Sequence, residues 1–259
     1  MTLLEAIILG IIQGLAEFLP ISSSGHLALG QYLFGIDEGN LVFIIVVHIG
    51  TLIPVVIVYR KAIWELIKKP FQKMTYLLII ATVPAAVVAI FFEDAIEAAL
   101  TSISFLAAGF VATGLVLIGT DRLRKTSKKS DEITYLDAAL IGIAQAVAVF
   151  PGISRSGSTI AASLARGINR EDAAKFAFLM SIPAILGALL IQIIHVFRGN
   201  IVLADLDFLT LGAGFVASAL SGYLAINFML AAIKKAKLRY FAYYVLALAA
   251  VIGVYLFIL

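Results

Sequence analysis

Six stretches of this chain, each near 20 residues long and almost free of charge, limit what it can fold into: Leu41–Tyr59, Met74–Phe92, Ser102–Thr120, Ala173–Phe197, Phe208–Leu230 and Phe241–Leu259. A helix of that length rises about 30 Å, the thickness of the hydrocarbon core of a bilayer. Hydrophobic residues make up 62% of the 259 positions and charged residues only 14%, with a mean hydropathy of +1.07. Soluble domains sit nearer half apolar and about a quarter charged. No water-soluble core encloses so much apolar surface. Strand-length alternation is absent, which argues against a β-barrel. The sequence predicts an all-α integral membrane protein, with membrane lipids around it. The chain holds no cysteine, which removes disulfides and thiolate metal sites. Its net charge of +3 comes from a few loops and points to topology rather than to nucleic-acid binding. The opening "MTLLEAIILG" lacks a basic n-region and a small-residue cleavage site, so no cleaved signal peptide is expected.

The loops suggest an orientation. Arg60–Lys73 and Asp121–Glu132 carry five Lys/Arg each, and Lys234–Arg239 carries four. Glu93, Asp94 and Glu97 make an acidic loop, and Arg198–Asp207 holds one basic residue. Basic loops prefer the cytoplasm. With all three inside, the six spans alternate consistently only if the segments before Leu41 and after Asp121 enter and leave on one side. Each is then a re-entrant helix pair: Thr2–Leu19 with Gly25–Phe34 dipping from outside, and Thr134–Phe150 with Gly157–Arg166 dipping from the cytoplasm.

The two halves match. A shift of 132 residues lays Leu4–Gly25 on Leu136–Gly157 without a gap, and 11 of 22 positions are identical, including an in-register "ISxSG". An odd number of spans per half makes the repeats inverted, an architecture that places a polar site between them at mid-membrane. The expected layout is one membrane domain, 1–259, with repeats at 1–120 and 133–259 and a basic cytoplasmic linker at 121–132.

Both re-entrant pairs break at polar, helix-breaking stretches, "EFLPISSSGH" (Glu17–His26) and "FPGISRSGST" (Phe150–Thr159). Irregular backbone survives at membrane depth only where protein buries it or water reaches it. Short helices restarting there aim their N-termini, with free N–H groups and a positive dipole end, at the break. Serine hydroxyls and the fork of Arg155 add donors. This is the chemistry of an anion site, and phosphate suits it. Ser23 and Arg155 are equivalent under the shift, so they can face each other where the loops meet. Glu17 is replaced by Val149 in the second half, and His26 by Ser158. His26 could serve as acid, base or phosphate contact. A mid-membrane charge costs at least ~2.5–3.5 kcal/mol on insertion scales, so Glu17 and Arg155 need a reason to be there. That reason is function, or simply pairing with each other. His48 lies mid-span and is ambiguous, and His195 lies at a span end and reads as interfacial. Gly109, Gly114, Gly212 and Gly214 read as close helix-packing positions.

These motifs resemble the undecaprenyl-pyrophosphate phosphatase family, membrane enzymes linked to bacitracin resistance. "QGLAEFLPISSSGH" (Gln13–His26) is similar to that family's (E/Q)xxxE motif and the Ser–Ser–x–Gly–His run after it. "PGISRSGST" (Pro151–Thr159) matches its PGxSRSGxT motif, and the resemblance runs the length of the chain. The resemblance implies two inverted five-helix repeats with two re-entrant pairs, in the cell membrane, with an active site open to the outer face. It implies hydrolysis of a polyprenyl diphosphate to the monophosphate and phosphate, recycling the lipid carrier of cell-wall or surface polysaccharide synthesis. By position Ser23 is then the nucleophile, with Glu17 and His26 as proton-handling or metal-associated groups. Arg155 holds the phosphate, helped by Ser154, Ser156 and Thr159, with Gln13, Ser22, Gly25, Gly152 and Gly157 lining the site. A divalent cation, Mg²⁺ or Ca²⁺, is implied, with Glu17 as its protein ligand, and a homodimer is an open expectation. Two positions depart from the pattern. Gln13 leaves Glu17 as the sole carboxylate of its motif, and Ile44 stands where an acidic residue is expected. The rival reading from the residues is a lipid-phosphate flippase, since transporters also use inverted repeats and a midplane anion site. A nucleophile beside a base favours the enzyme.

Overall fold

A computed structural model describes residues 1–36, 41–120, 123, 126–197, 207–235 and 238–258. Positions 198–206 of the expected Arg198–Asp207 loop, linker positions 121, 122, 124 and 125, residues 236–237 of the third basic run and the side chain of His195 lie outside the described residues.

The described chain is helical: α1 (Leu3–Phe18), α2 (Ser23–Phe34), α3 (Leu41–Lys68), α4 (Lys73–Phe91), α5 (Glu93–Thr101), α6 (Ile103–Thr120), a 3₁₀ turn (Ser130–Glu132), α7 (Tyr135–Val147), α8 (Arg155–Ala165), α9 (Arg170–Phe197), α10 (Phe208–Lys234) and α11 (Leu238–Ile258). Among the described residues there is no strand, only an isolated bridge between Lys128 and Ile168. Six helices are long and apolar enough to cross a membrane: Val42–Lys68, Lys73–Phe91, Ile103–Thr120, Arg170–Ile191, Phe208–Lys234 and Leu238–Ile258. They fall on the six apolar stretches of the sequence.

Two segments differ from expectation. The first span was expected to stop at Tyr59, but α3 runs on to Lys68, with its backbone leaving helical geometry at Tyr59 (φ −104°, ψ 20°). The expected acidic loop is helix α5, whose first turn carries Glu93 and Asp94. Carboxylates there face the positive end of the helix dipole, so the charges that suggest a loop instead start a helix.

The helices pack in a crossed pattern. α1 lies against α10, α7 against α4, and α6 against α11. The α1–α10 contact is close because small residues line it: a Cβ on Gly14 would lie 2.1 Å from Ser221 Oγ, and one on Gly10 2.5 Å from the Gly214 carbonyl. Gly109, Gly114 and Gly214 also meet neighbours, whereas Gly212 faces open space, so its packing role does not hold. Apolar residues are turned outward as well as inward: Leu4, Leu220, Leu224 and Val251 are each about two-thirds exposed. That is the surface of a chain whose solvent is lipid. One buried cluster, with Phe18, Val55, Leu77, Ile141, Ile160, Phe178 and Ile226, draws on both halves. A second, with Ala16, Ile21, Phe110 and Val245, joins α1 to α6 and α11.

Candidate active site

The site grows from two chain breaks. After α1 the backbone turns at Ser22, whose φ of 72° is the only positive value at a non-glycine among the described residues. Such a conformation costs roughly 1–3 kcal/mol and persists only where the surroundings fix it. Here Ser22 caps α2, its hydroxyl accepting from Gly25 N at 3.3 Å. In the second half the turn falls on Gly152 (φ 83°), where a Cβ would also meet the Leu106 carbonyl at 2.6 Å. Ser154 caps α8 by accepting from Gly157 N at 3.1 Å. Thr113, from α6, donates to Gly152 O and accepts from Ser154 N, both at 2.9 Å. The two caps, Ser22 and Ser154, are equivalent under the 132-residue shift.

The broken segments meet. A Cβ on Gly25 would lie 3.0 Å from Gly152 Cα, and one on Gly157 would lie 3.3 Å from Pro20 Cβ. Ser156 donates to the Leu19 carbonyl at 3.1 Å. Helix geometry leaves the first-turn N–H groups of Ser23 and Ser24, and of Arg155 and Ser156, without an acceptor inside their own helices.

Glu17 sits at the centre, 6% exposed. Its Oε2 accepts from Ser23 Oγ at 2.6 Å and from Gln13 Nε2 at 3.1 Å, and its Oε1 pairs with the Arg155 guanidinium. One carboxylate therefore joins the serine of the first half to the arginine of the second. His48 Nε2 lies 3.9 Å from Glu17 Oε2, while its Nδ1 donates to Ile44 O at 2.7 Å. The residue left ambiguous by the sequence thus belongs to the site, one helical turn beyond the position where an acidic residue was expected.

His26 is turned elsewhere. Its Nδ1 donates to Ser22 O at 2.8 Å, which leaves Nε2 of the neutral ring to accept from the Tyr244 hydroxyl at 2.9 Å. Its ring stacks on Tyr244 and meets Phe110 edge-on. The helpers expected around Arg155 serve the backbone: Ser154 as the cap, Ser156 on Leu19, and Thr159 donating to Arg155 O at 2.8 Å. Sequence reasoning missed Tyr244 and Thr113. The one signal available for Thr113 was a hydroxyl inside an apolar span.

Among the described residues no three His, Cys, Asp or Glu side chains cluster as a metal site. Glu17 does have an oxygen neighbour with unused capacity, because Gln13 Oε1 is buried without a hydrogen-bond partner. A hard cation that keeps waters and substrate phosphate oxygens in its shell needs only one or two protein oxygens, and this pair fits such an ion.

The bacitracin resistance protein BacA family model matches residues 6–251. The chain belongs to the BacA family. It is 47% identical to an undecaprenyl-diphosphatase of Carboxydothermus hydrogenoformans, over 96% of this chain and 95% of that one. It is 46% identical to undecaprenyl-diphosphatase 4 of Bacillus cereus, over 97% and 96%. A Rubrobacter xylanophilus undecaprenyl-diphosphatase is 39% identical over 97% of both chains. BacA family membership and the six apolar helices together make this a multi-pass membrane protein.

Proposed function

We propose that the chain is an undecaprenyl-diphosphate phosphatase, releasing phosphate and the lipid monophosphate for reuse in cell-wall or surface polysaccharide synthesis. The observation that carries this is the Glu17 carboxylate holding Ser23 on one oxygen and Arg155 on the other. The names of the relatives support the same substrate.

In this reading α1–α2 and α7–α8 are re-entrant pairs of two inverted repeats. Support comes from the exchange of partners, α1 on α10 and α7 on α4, and from matched capping boxes at Thr2 with Glu5 and at Thr134 with Asp137. The protein lies in the cell membrane with its site open to the outer face, as expected with the basic loops inside.

When the diphosphate arrives, Arg155 exchanges Glu17 for the terminal phosphate, and the first-turn N–H groups of α2 and α8 take further phosphate oxygens. Glu17, released from its partner, accepts the Ser23 proton. Ser23 Oγ attacks phosphorus in line, the bond to the bridging oxygen breaks, and the lipid monophosphate leaves with that electron pair. Water then attacks the phosphoserine, the bond from phosphorus to Ser23 Oγ breaks, the proton on Glu17 returns to Ser23, and the two protons of the water leave on the released phosphate. A bound Mg²⁺ or Ca²⁺, held by Glu17 and Gln13 Oε1, would neutralise charge on the diphosphate. His26 and Tyr244 support the N-terminus of α2.

Phosphate release from undecaprenyl diphosphate by the purified protein in detergent tests this, run with EDTA, Mg²⁺ and Ca²⁺. The expected result is cation-dependent release. No release under any cation from folded protein would overturn it. The assay needs no second compartment, so it separates hydrolysis from flipping.

A further inference from the structure

The break in α3 at Tyr59 opens a cleft away from the Glu17 site, on the order of 16 Å along the helix axis from His48. The cleft has a volume of about 470 Å³ and is lined by Val58, Tyr59, Arg60, Lys61, Ala62, Glu65 and Lys175. A second hollow of about 410 Å³ shares Ala62, Glu65 and Lys175 with it. The chemistry is two-sided. Arg60, Lys61 and Lys175 bring three cations against one lining carboxylate, Glu65. Lys175 also acts on Asp172 through space, but among the described residues none of the three closes a direct ion pair. Val58 and Ala62 give it an apolar wall continuous with the main buried cluster.

Its depth in the bilayer is marked by the neighbouring turn. Trp64, the sole tryptophan, is 57% exposed and carries Lys68 over its ring at 5.2 Å. Exposed tryptophan beside lysine is the composition of the headgroup level of a membrane. A soluble anion would have no use for the apolar wall, and a neutral lipid no use for the cations. We propose that this cleft binds the phosphate of an anionic phospholipid, with Arg60 and Lys175 on the phosphate and the glycerol–acyl junction against Val58 and Ala62. Lys175 lies on α9, directly after the turn from α8, so an occupied cleft also braces the helix that follows Arg155.

The test is native mass spectrometry of the full chain in detergent with phosphatidylglycerol, phosphatidylcholine, undecaprenyl phosphate and inorganic phosphate as separate probes. The wild-type protein should retain one phosphatidylglycerol at least tenfold more tightly than phosphatidylcholine. Arg60→Gln/Lys175→Gln should lose that preference while keeping the wild-type unfolding midpoint, which verifies its fold. The single variants Arg60→Gln and Lys175→Gln should each weaken retention about threefold, should the double variant prove unstable. Unchanged retention in the variants, equal retention of phosphatidylcholine, displacement by millimolar inorganic phosphate, or preference for undecaprenyl phosphate would each overturn the proposal. The readout is binding, so it fails independently of the phosphatase reading.

Discussion

Glu17, Ser23 and Arg155 are tied by single atoms, and their substitutions should separate cleanly. Glu17→Gln leaves Arg155 without its partner in a buried site. Breaking such a pair costs about 3–5 kcal/mol. A double variant, Glu17→Gln/Arg155→Ala, should be more stable than the sum of the two single losses implies, read as unfolding in a double-mutant cycle. Additive losses would mean the two side chains do not act as a pair. Tyr244→Phe removes only the hydroxyl that His26 Nε2 accepts from. A net hydrogen bond of about 0.5–1.5 kcal/mol translates into a roughly twofold to tenfold fall in kcat/KM. An unchanged rate would leave the Tyr244 hydroxyl without a role in turnover, and a thousandfold fall would place it in the chemistry itself. The sequence made Glu17, Ser23 and Arg155 readable because charges and serines stand out in apolar surroundings and repeat under one shift. Tyr244 was not readable, because it reaches His26 across 218 residues and a tyrosine near a membrane surface has commoner uses. His48 was ambiguous because only packing of α3 beside α1 brings it to Glu17.

At the scale of elements, the helix breaks are held by few contacts that substitutions can reach. Thr113→Val strips the buried Gly152 carbonyl and Ser154 N–H of their side-chain partner. An unsatisfied buried group costs about 1–3 kcal/mol, so a lower unfolding midpoint is expected with the substrate lipid absent. At the start of α7, the carboxylate of Asp137 is shielded from solvent but accepts from Lys128 Nζ and Arg166 Nε, both at 2.8 Å, and from Thr134 N at 2.9 Å. Burial alone would push its pKa up, but these donors outweigh that and hold it well below the usual aspartate range. Its stabilising contribution is therefore complete above the ordinary value of about 3.9 and is lost as pH falls below that towards the lower folded value. Asp137→Asn should lower stability at neutral pH and flatten this acid-side loss in an unfolding series. An unchanged acid limb would assign the pH dependence elsewhere. The hydropathy pattern made the long helices legible, but α5 was hidden by its charges, and the run of α3 beyond Tyr59 was hidden by the basic residues that follow it.

In the proposed reading the whole molecule is two inverted repeats that give different residues to one site. The first supplies Glu17, Ser23 and His48, and the second supplies Arg155. The chain's lack of cysteine allows the re-entrant topology to be tested with single introduced thiols. In sealed spheroplasts, Thr2→Cys should react with an impermeant maleimide, and Ser127→Cys should react only after the membrane is opened. Labelling of both from outside would contradict the inverted arrangement. The proposed mechanism takes its nucleophile from one half and its phosphate clamp from the other, which makes Ser23 the test of the whole account. The most direct measurement is phosphate release from undecaprenyl diphosphate by wild-type and Ser23→Ala protein, each verified as folded and as binding the lipid. The expected result is undiminished binding with turnover lowered by at least about a thousandfold, the scale of losing an activated nucleophile. Turnover near the wild-type rate would contradict it, because phosphoryl transfer would then proceed without Ser23.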